Sequence, residues 1–230
     1  SDVKCWGRLM EGQVGMGNPG IGTSSVSSPL GPLGLAGNYV TAPAVAISAG
    51  QAHTCAILAD GDLKCWGWDS YGQLGDGGSN SNVYLPSSTA IDLGTGRTAV
   101  AVSAGSYHTC VILDNGDTKC WGSDEFGGLG DGGPVWTISN RTNLNAPSTN
   151  ALDLGTGRTA AAIAAGSFHT CAILDNGDLK CWGWDNHGQL GDGGSNTNQI
   201  SPVSVSGSNT WNTTTTLVTW ETHPALPAGM

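Results

Sequence analysis

The sequence predicts an all-β propeller built of four-stranded antiparallel blades, and three observations carry that prediction. One sentence is written three times: HTCAILADGDLKCWGWDSYGQLGDGG at 53–78, HTCVILDNGDTKCWGSDEFGGLGDGG at 108–133 and HTCAILDNGDLKCWGWDNHGQLGDGG at 169–194. The chain also opens on DVKCWGRLMEGQVGMG, the second half of a fourth copy, so that second cysteines fall at 5, 65, 120 and 181, spaced by 60, 55 and 61 residues. A period of this size that drifts through insertions marks a propeller or a repeat array. Composition agrees: 37 Gly, 10 Pro and only 11% charged residues in 230 suit many short strands joined by turns.

The elements of one copy follow in order. TAVAVSAG at 98–105 alternates small and branched residues and reads as the first strand; HTCVIL is the second and DTKCWG the third. A weaker fourth strand is expected near LPSSTAIDL at 85–93. Four strands per unit fit a propeller blade. The repeats cover 1–205, with a partial blade at 1–47 and repeats starting near 48, 103 and 164. Residues 206–230 abandon the repeat.

The ten-residue cysteine spacing is explained by a hairpin. For Cys171 to face Cys181, Leu174 must face Asp178, which leaves Asp175-Asn176-Gly177 as a three-residue loop with Gly177 at its left-handed position. The same arithmetic places Cys55 opposite Cys65 around Gly61, and Cys110 opposite Cys120 around Gly116. Each pair lands on a non-hydrogen-bonded site, where the short separation suits a disulfide. Three disulfides follow, and with them an oxidising compartment, extracellular, cell-surface or lumenal. Buried free thiols are the alternative. A zinc site is not met by two cysteines and one adjacent histidine. Ile57, Leu63, Ile173 and Leu179 share the cysteine face, which is expected to be buried. Cys5 has no partner ten residues earlier and is expected to be unpaired within this chain.

Charge excludes one class of partner. Eighteen acidic against eight basic residues give a net charge of −10, and no cluster of Lys and Arg offers a nucleic-acid footprint. No segment approaches the roughly 18 apolar residues of a membrane helix, so no membrane insertion is expected. The sequons at Asn140 and Asn212 are candidate N-glycosylation sites, those of a glycoprotein.

Residues repeated in every copy read as parts of the blade. His53, His108 and His169 are expected to hydrogen-bond between blades, and Trp6, Trp66, Trp121 and Trp182 to pack there. Asp76, Asp131 and Asp192 are expected to cap G-D-G-G turns, with calcium ligation as the alternative. Lys64, Lys119 and Lys180 read as solvated or paired strand residues. Trp68 and Trp184 differ, because Ser123 takes their place in one copy; with Asp69 and Asp185 directly after them they are the candidate loop-binding residues, with core packing of the two tryptophans as the alternative. No metal, cofactor or catalytic residue is expected.

The linked pieces G-x-x-H-T-C, C-W-G and G-x-L-G-D-G resemble the regulator of chromosome condensation repeat family, over about residues 1–205. The resemblance implies seven-bladed rings with a central channel, and so an incomplete arc here, of about three full blades plus a partial one. The remaining blades would come from the same polypeptide or a neighbouring subunit. Nucleotide exchange, an activity of one family member, is not carried over, because no wedge-like insertion is present and paired cysteines suit secretion. The function expected is that of a non-catalytic scaffold or binding module within a larger extracellular or surface-assembly protein, recognising protein or glycan through blade loops. The alternative is a secreted hydrolase with carboxylates at the channel mouth. It lacks a candidate nucleophile and base in the divergent loop 134–150.

Overall fold

The structure is a computed structural model that describes residues 4–8, 10–15, 25–26, 42–133, 143–194 and 196–207. Among the described residues it is all-β apart from one 3-10 turn at Glu125–Gly127. Two short strands, β1 (Gly7–Arg8) and β2 (Ser25–Val26), pair near the start. Three blades follow, each an antiparallel sheet: β3 (Ala44–Ala49), β4 (His53–Leu58) and β5 (Leu63–Gly67); β6 (Ala99–Ala104), β7 (His108–Leu113) and β8 (Thr118–Gly122); β9 (Ala160–Ala165), β10 (His169–Leu174), β11 (Leu179–Gly183) and β12 (Gln199–Ser204).

The fourth strand is complete only in the third blade. In the first two it contracts to one bridge, Gly67 with Val83 and Gly122 with Leu144, and the stretch at 85–93 is bends and irregular backbone. Pro86 has no N–H to give a ladder. The Ser87 hydroxyl accepts the Thr89 N–H, and Ser148 donates to the Asn150 carbonyl in the second blade. Such local bonds compete with strand pairing.

The hairpin register is the one the spacing requires. Cys55 faces Cys65, Cys110 faces Cys120 and Cys171 faces Cys181. All three pairs are disulfides, with Cα atoms 4.1 Å apart, as in non-hydrogen-bonded pairs. Leu174 N–H donates to Asp178 across the loop at 2.8 Å, and Gly177 has φ 86°.

Blades pack face to face. The cysteine face of the first blade (Cys55, Ile57, Leu63) meets Val111, Leu113 and Trp121 of the second. That of the second (Cys110, Ile112, Cys120) meets Ala172, Leu174 and Trp182 of the third. No described blade lies beyond the third, and there Ile173 is 45% exposed and Leu179 half-buried rather than buried as expected. Trp6 departs in the same way, 58% exposed where Trp66, Trp121 and Trp182 are fully buried. Cys5 is free and half-buried, against the cluster of Ala56 and Trp66, and burial raises its thiol pKa.

Candidate binding face

One hydrogen-bonded junction is built at successive blade interfaces from the repeated residues. His53 Nε2 lies 2.9 Å from Thr109 Oγ1 in the next blade, and Thr109 donates to the Gln73 carbonyl at 2.8 Å. The hydroxyl proton goes to that carbonyl, so the imidazole must be the donor, protonated at Nε2. Trp121 Nε1 donates to the same carbonyl at 3.0 Å. His108, Thr170, Trp182 and the Gly128 carbonyl repeat the arrangement, and Thr54 and Trp66 both donate to the Gln13 carbonyl of the opening copy. Gly50 and Gly105 are required here, because a Cβ at either would meet the histidine ring of its own copy and the backbone of the next blade. His53 is held down at about pKa 3 and His108 at about 4, by burial first and then by the next histidine's charge. His169 is lowered as well, by burial.

The carboxylates of the loops are also structural. Asp69, Asp124 and Asp185 are buried, and each accepts the N–H five residues on, from Leu74, Leu129 and Leu190. Burial pushes Asp69 up to about 6 and Asp124 to about 7, against the lowering effect of those same bonds. Asp69 and Asp185 therefore cap their loops from inside and do not face out beside Trp68 and Trp184. Asp76, Asp131 and Asp192 each accept the N–H of the glycine two residues later, as turn caps. Among the described residues no group of three His, Cys, Asp or Glu is placed to hold a metal. Of the lysines read from sequence as solvated or paired, Lys64 and Lys119 are buried and donate to the Ser88 and Leu93 carbonyls, and Lys64 also lies 3.9 Å from Asp62. Asn140 and Asn212 lie outside the described residues.

What these caps position is a row of aromatic rings. Trp68, Ser123 and Trp184 give their N–H groups to the carbonyls of Ala52, Tyr107 and Phe168, which ties the loop after each third strand to the turn before each second strand. The rings these turns carry touch across all three blades. Trp68 meets Tyr71 at 5.4 Å and Tyr107 at 5.5 Å; Tyr107 meets Phe168 at 5.4 Å; Phe168 meets Phe126 at 5.4 Å and Trp184 at 5.9 Å; Trp184 meets His187 at 5.2 Å. The six carbocyclic and indole members are half-buried and His187 is exposed. Trp184 Nε1 is buried without a partner. Phe126 sits at φ 66°, an outlier for a bulky residue of the kind that clusters at functional sites.

Sequence reading found Trp68 and Trp184 but missed Tyr71, Tyr107, Phe126, Phe168 and His187. They occupy the variable positions of the motif, so no single residue type repeats there. The available signal was scarcity: the chain has two Phe and four Tyr, and both Phe and two Tyr fall at these variable positions. A separate cleft of about 740 Å³ is lined by Asn143, Asn145, Asn150, Asp153 and Lys180 among others.

Comparison with known proteins agrees with this architecture. A family model described as the regulator of chromosome condensation (RCC1) repeat matches residues 44–73, 99–127 and 160–189, and a second of the same description matches 60–112. The chain is 30% identical to the ultraviolet-B receptor UVR8 of Arabidopsis thaliana over 206 residues, 89% of this chain and 42% of that protein. It is 31% identical to the probable E3 ubiquitin-protein ligase HERC4 of Rattus norvegicus over 208 residues, 90% of this chain and 18% of that protein. Among solved structures it is similar in fold to Prp20p from Saccharomyces cerevisiae (TM-score 0.70, 21% identity, 91% of this chain, 47% of that one). Human WBSCR16 is similar too (TM-score 0.72, 20% identity, 91% and 53%). The chain thus spans less than half the length of these curated relatives.

Proposed function

The chain belongs to the regulator of chromosome condensation repeat family, and from that premise we propose that it is a non-catalytic binding module, part of a seven-bladed propeller in a larger protein of an oxidising compartment. It docks a protein partner through the aromatic row on one end of its blades. The observation that carries this reading is the row itself: seven rings in contact across three blades, at positions the blade does not need. Tyr and Trp concentrated in one half-buried patch are the usual anchors of a protein interface. The carboxylates and histidines that a hydrolase would use are committed to capping and to the blade junctions, which supports binding over catalysis. Three disulfides support secretion or lumenal residence. Prp20p, a protein of the same fold, is described with binding to Gsp1p and histones; a protein partner is proposed here on the row, not on that likeness.

A photo-cross-linking residue at Ser106, beside Tyr107, tests the proposal. The expected result is a discrete protein adduct from the native extracellular or lumenal milieu, lost in a Tyr107→Ser, Phe168→Ser variant and kept in Asn150→Ala. Adducts indifferent to the row, or robust hydrolysis of glycosidic or peptide bonds by the purified chain, overturn it.

A further inference from the structure

We propose that the segment the row receives is basic, its arginine or lysine side chains laid against the aromatic rings; this rests on the docking reading above. The argument is charge complementarity confined to the loops that build the row. Residues 68–78, 123–133 and 184–194 hold seven acidic residues, Asp69, Asp76, Asp124, Glu125, Asp131, Asp185 and Asp192, and no Lys or Arg. Those loops therefore hold seven of the chain's eighteen acidic residues; Asp76, Glu125, Asp131 and Asp192 are not buried, while the buried Asp69 and Asp124, raised to about 6 and about 7, carry less than full charge near neutral pH. Five of the seven described cations are engaged elsewhere, and the other two, Lys4 and Lys180, lie outside these loops. Lys64 and Lys119 bond backbone carbonyls, Arg97 and Arg158 pair with Asp114 and Asp175 at hairpin turns, and Arg8 pairs with Glu11.

Ring and carboxylate alternate closely. Trp68 and Tyr71 bracket Asp69, and Trp184 and His187 bracket Asp185; the Oδ2 of each aspartate is buried without a partner. Aromatic faces carry the negative part of the ring quadrupole and attract guanidinium and ammonium groups. A field of fixed negative charge around them strengthens and steers that contact. An acidic or phosphorylated partner meets repulsion from the same loops. A neutral apolar segment leaves the charge of the loops unused.

The test uses the whole chain and a synthetic peptide with six arginines separated by Gly and Ser, beside a counterpart in which citrulline replaces each arginine. Binding is read by tryptophan fluorescence at low and moderate salt. The expected result is that the arginine peptide binds about ten-fold or more tighter than the citrulline peptide, that salt weakens it, and that Tyr107→Leu with Phe168→Leu lowers affinity about five-fold at unchanged net charge. Tyr107→Phe, which keeps the ring, retains affinity and guards against misfolding of the leucine variant. Equal binding of the arginine peptide by parent and leucine variant overturns the proposal, leaving charge attraction without the rings. If neither peptide binds while the Ser106 cross-link still depends on the row, the basic segment falls and the docking face stands. If the row dependence of both is absent, the docking face falls with it.

Discussion

At the scale of the residue, one threonine hydroxyl joins two blades. Thr109 accepts from His53 and donates to the Gln73 carbonyl, so Thr109→Val, nearly the same shape, leaves a buried imidazole N–H without an acceptor. A loss of about 1–3 kcal/mol is expected, read as a shift of the urea midpoint, whereas Thr149→Val at an exposed position changes it by about 0.5 kcal/mol or less. The histidines add a pH dependence whose sign is fixed. His53 and His108 fall from an unfolded value of 6.5 to about 3 and about 4. The unfolded chain therefore binds more protons below pH 6.5, and their contribution is lost as pH falls from there toward 4. Asp69 and Asp124 act in the opposite sense. Raised from 3.8 to about 6 and about 7, they bind protons in the folded chain first, so acidification from pH 7 toward 4 favours folding. In urea titrations between pH 7.5 and 5, Asp124→Asn is expected to lose stability more steeply than the parent, and His108→Gln less steeply. Parallel profiles for all three would mean that neither group titrates as its burial implies.

At the scale of the element, the hairpin is where sequence and structure agree most closely, because its register is set by local rules: a three-residue loop, one left-handed glycine and a period of two. Mass spectrometry without reduction is expected to find Cys55 joined to Cys65, Cys110 to Cys120 and Cys171 to Cys181. The three bridges should not reduce alike. Cys55 and Cys110 are fully buried against the next blade, while Cys171 is half-buried. Graded thiol treatment is expected to open Cys171–Cys181 first, and a Cys110→Ser, Cys120→Ser variant to lose about 2 kcal/mol or more. Equal rates at the three sites would contradict the burial gradient. What the sequence left hidden is non-local. The weaker fourth strand expected near 85–93 does not form, because Pro86 lacks an N–H and the Ser87 hydroxyl accepts the Thr89 N–H, as Ser148 donates to the Asn150 carbonyl in the second blade. Lys64 and Lys119 were read as solvated or paired, and nothing in a local pattern shows that the partner of each is a carbonyl from the connector. The aromatic row was invisible for the same reason. Its members come from two turns per blade that only the Trp68-to-Ala52, Ser123-to-Tyr107 and Trp184-to-Phe168 backbone bonds bring together. Asp69 and Asp185 were read as partners of exposed tryptophans, when the five-residue reach back from Leu74 and Leu190 had already assigned them a capping role.

At the scale of the whole molecule, each blade is stabilised by its neighbours more than by itself. A three- or four-stranded sheet of this length has two apolar faces, and stacking covers both only where a blade stands on each side. Every residue of the second strand is buried in the first and second blades, β4 and β7, whereas in the third, β10, buried residues alternate with half-buried and exposed ones. The difference is not one of sequence, since HTCAIL is identical in β4 and β10. It follows from what lies against the cysteine face, and it makes a prediction that separates local strength from neighbour support. By hydrogen exchange, amides of His53–Leu58 and His108–Leu113 should open only with global unfolding, and those of His169–Leu174 at a lower free energy. A polypeptide carrying one further repeat after residue 205 should bring His169–Leu174 up to the protection of the other two, as expected of blades in a continuing ring, and should bury Ile173. If β10 is already as protected as β4 without an added repeat, stability resides within the single blade. The proposal that further blades complete a ring against this face would then lose its physical basis.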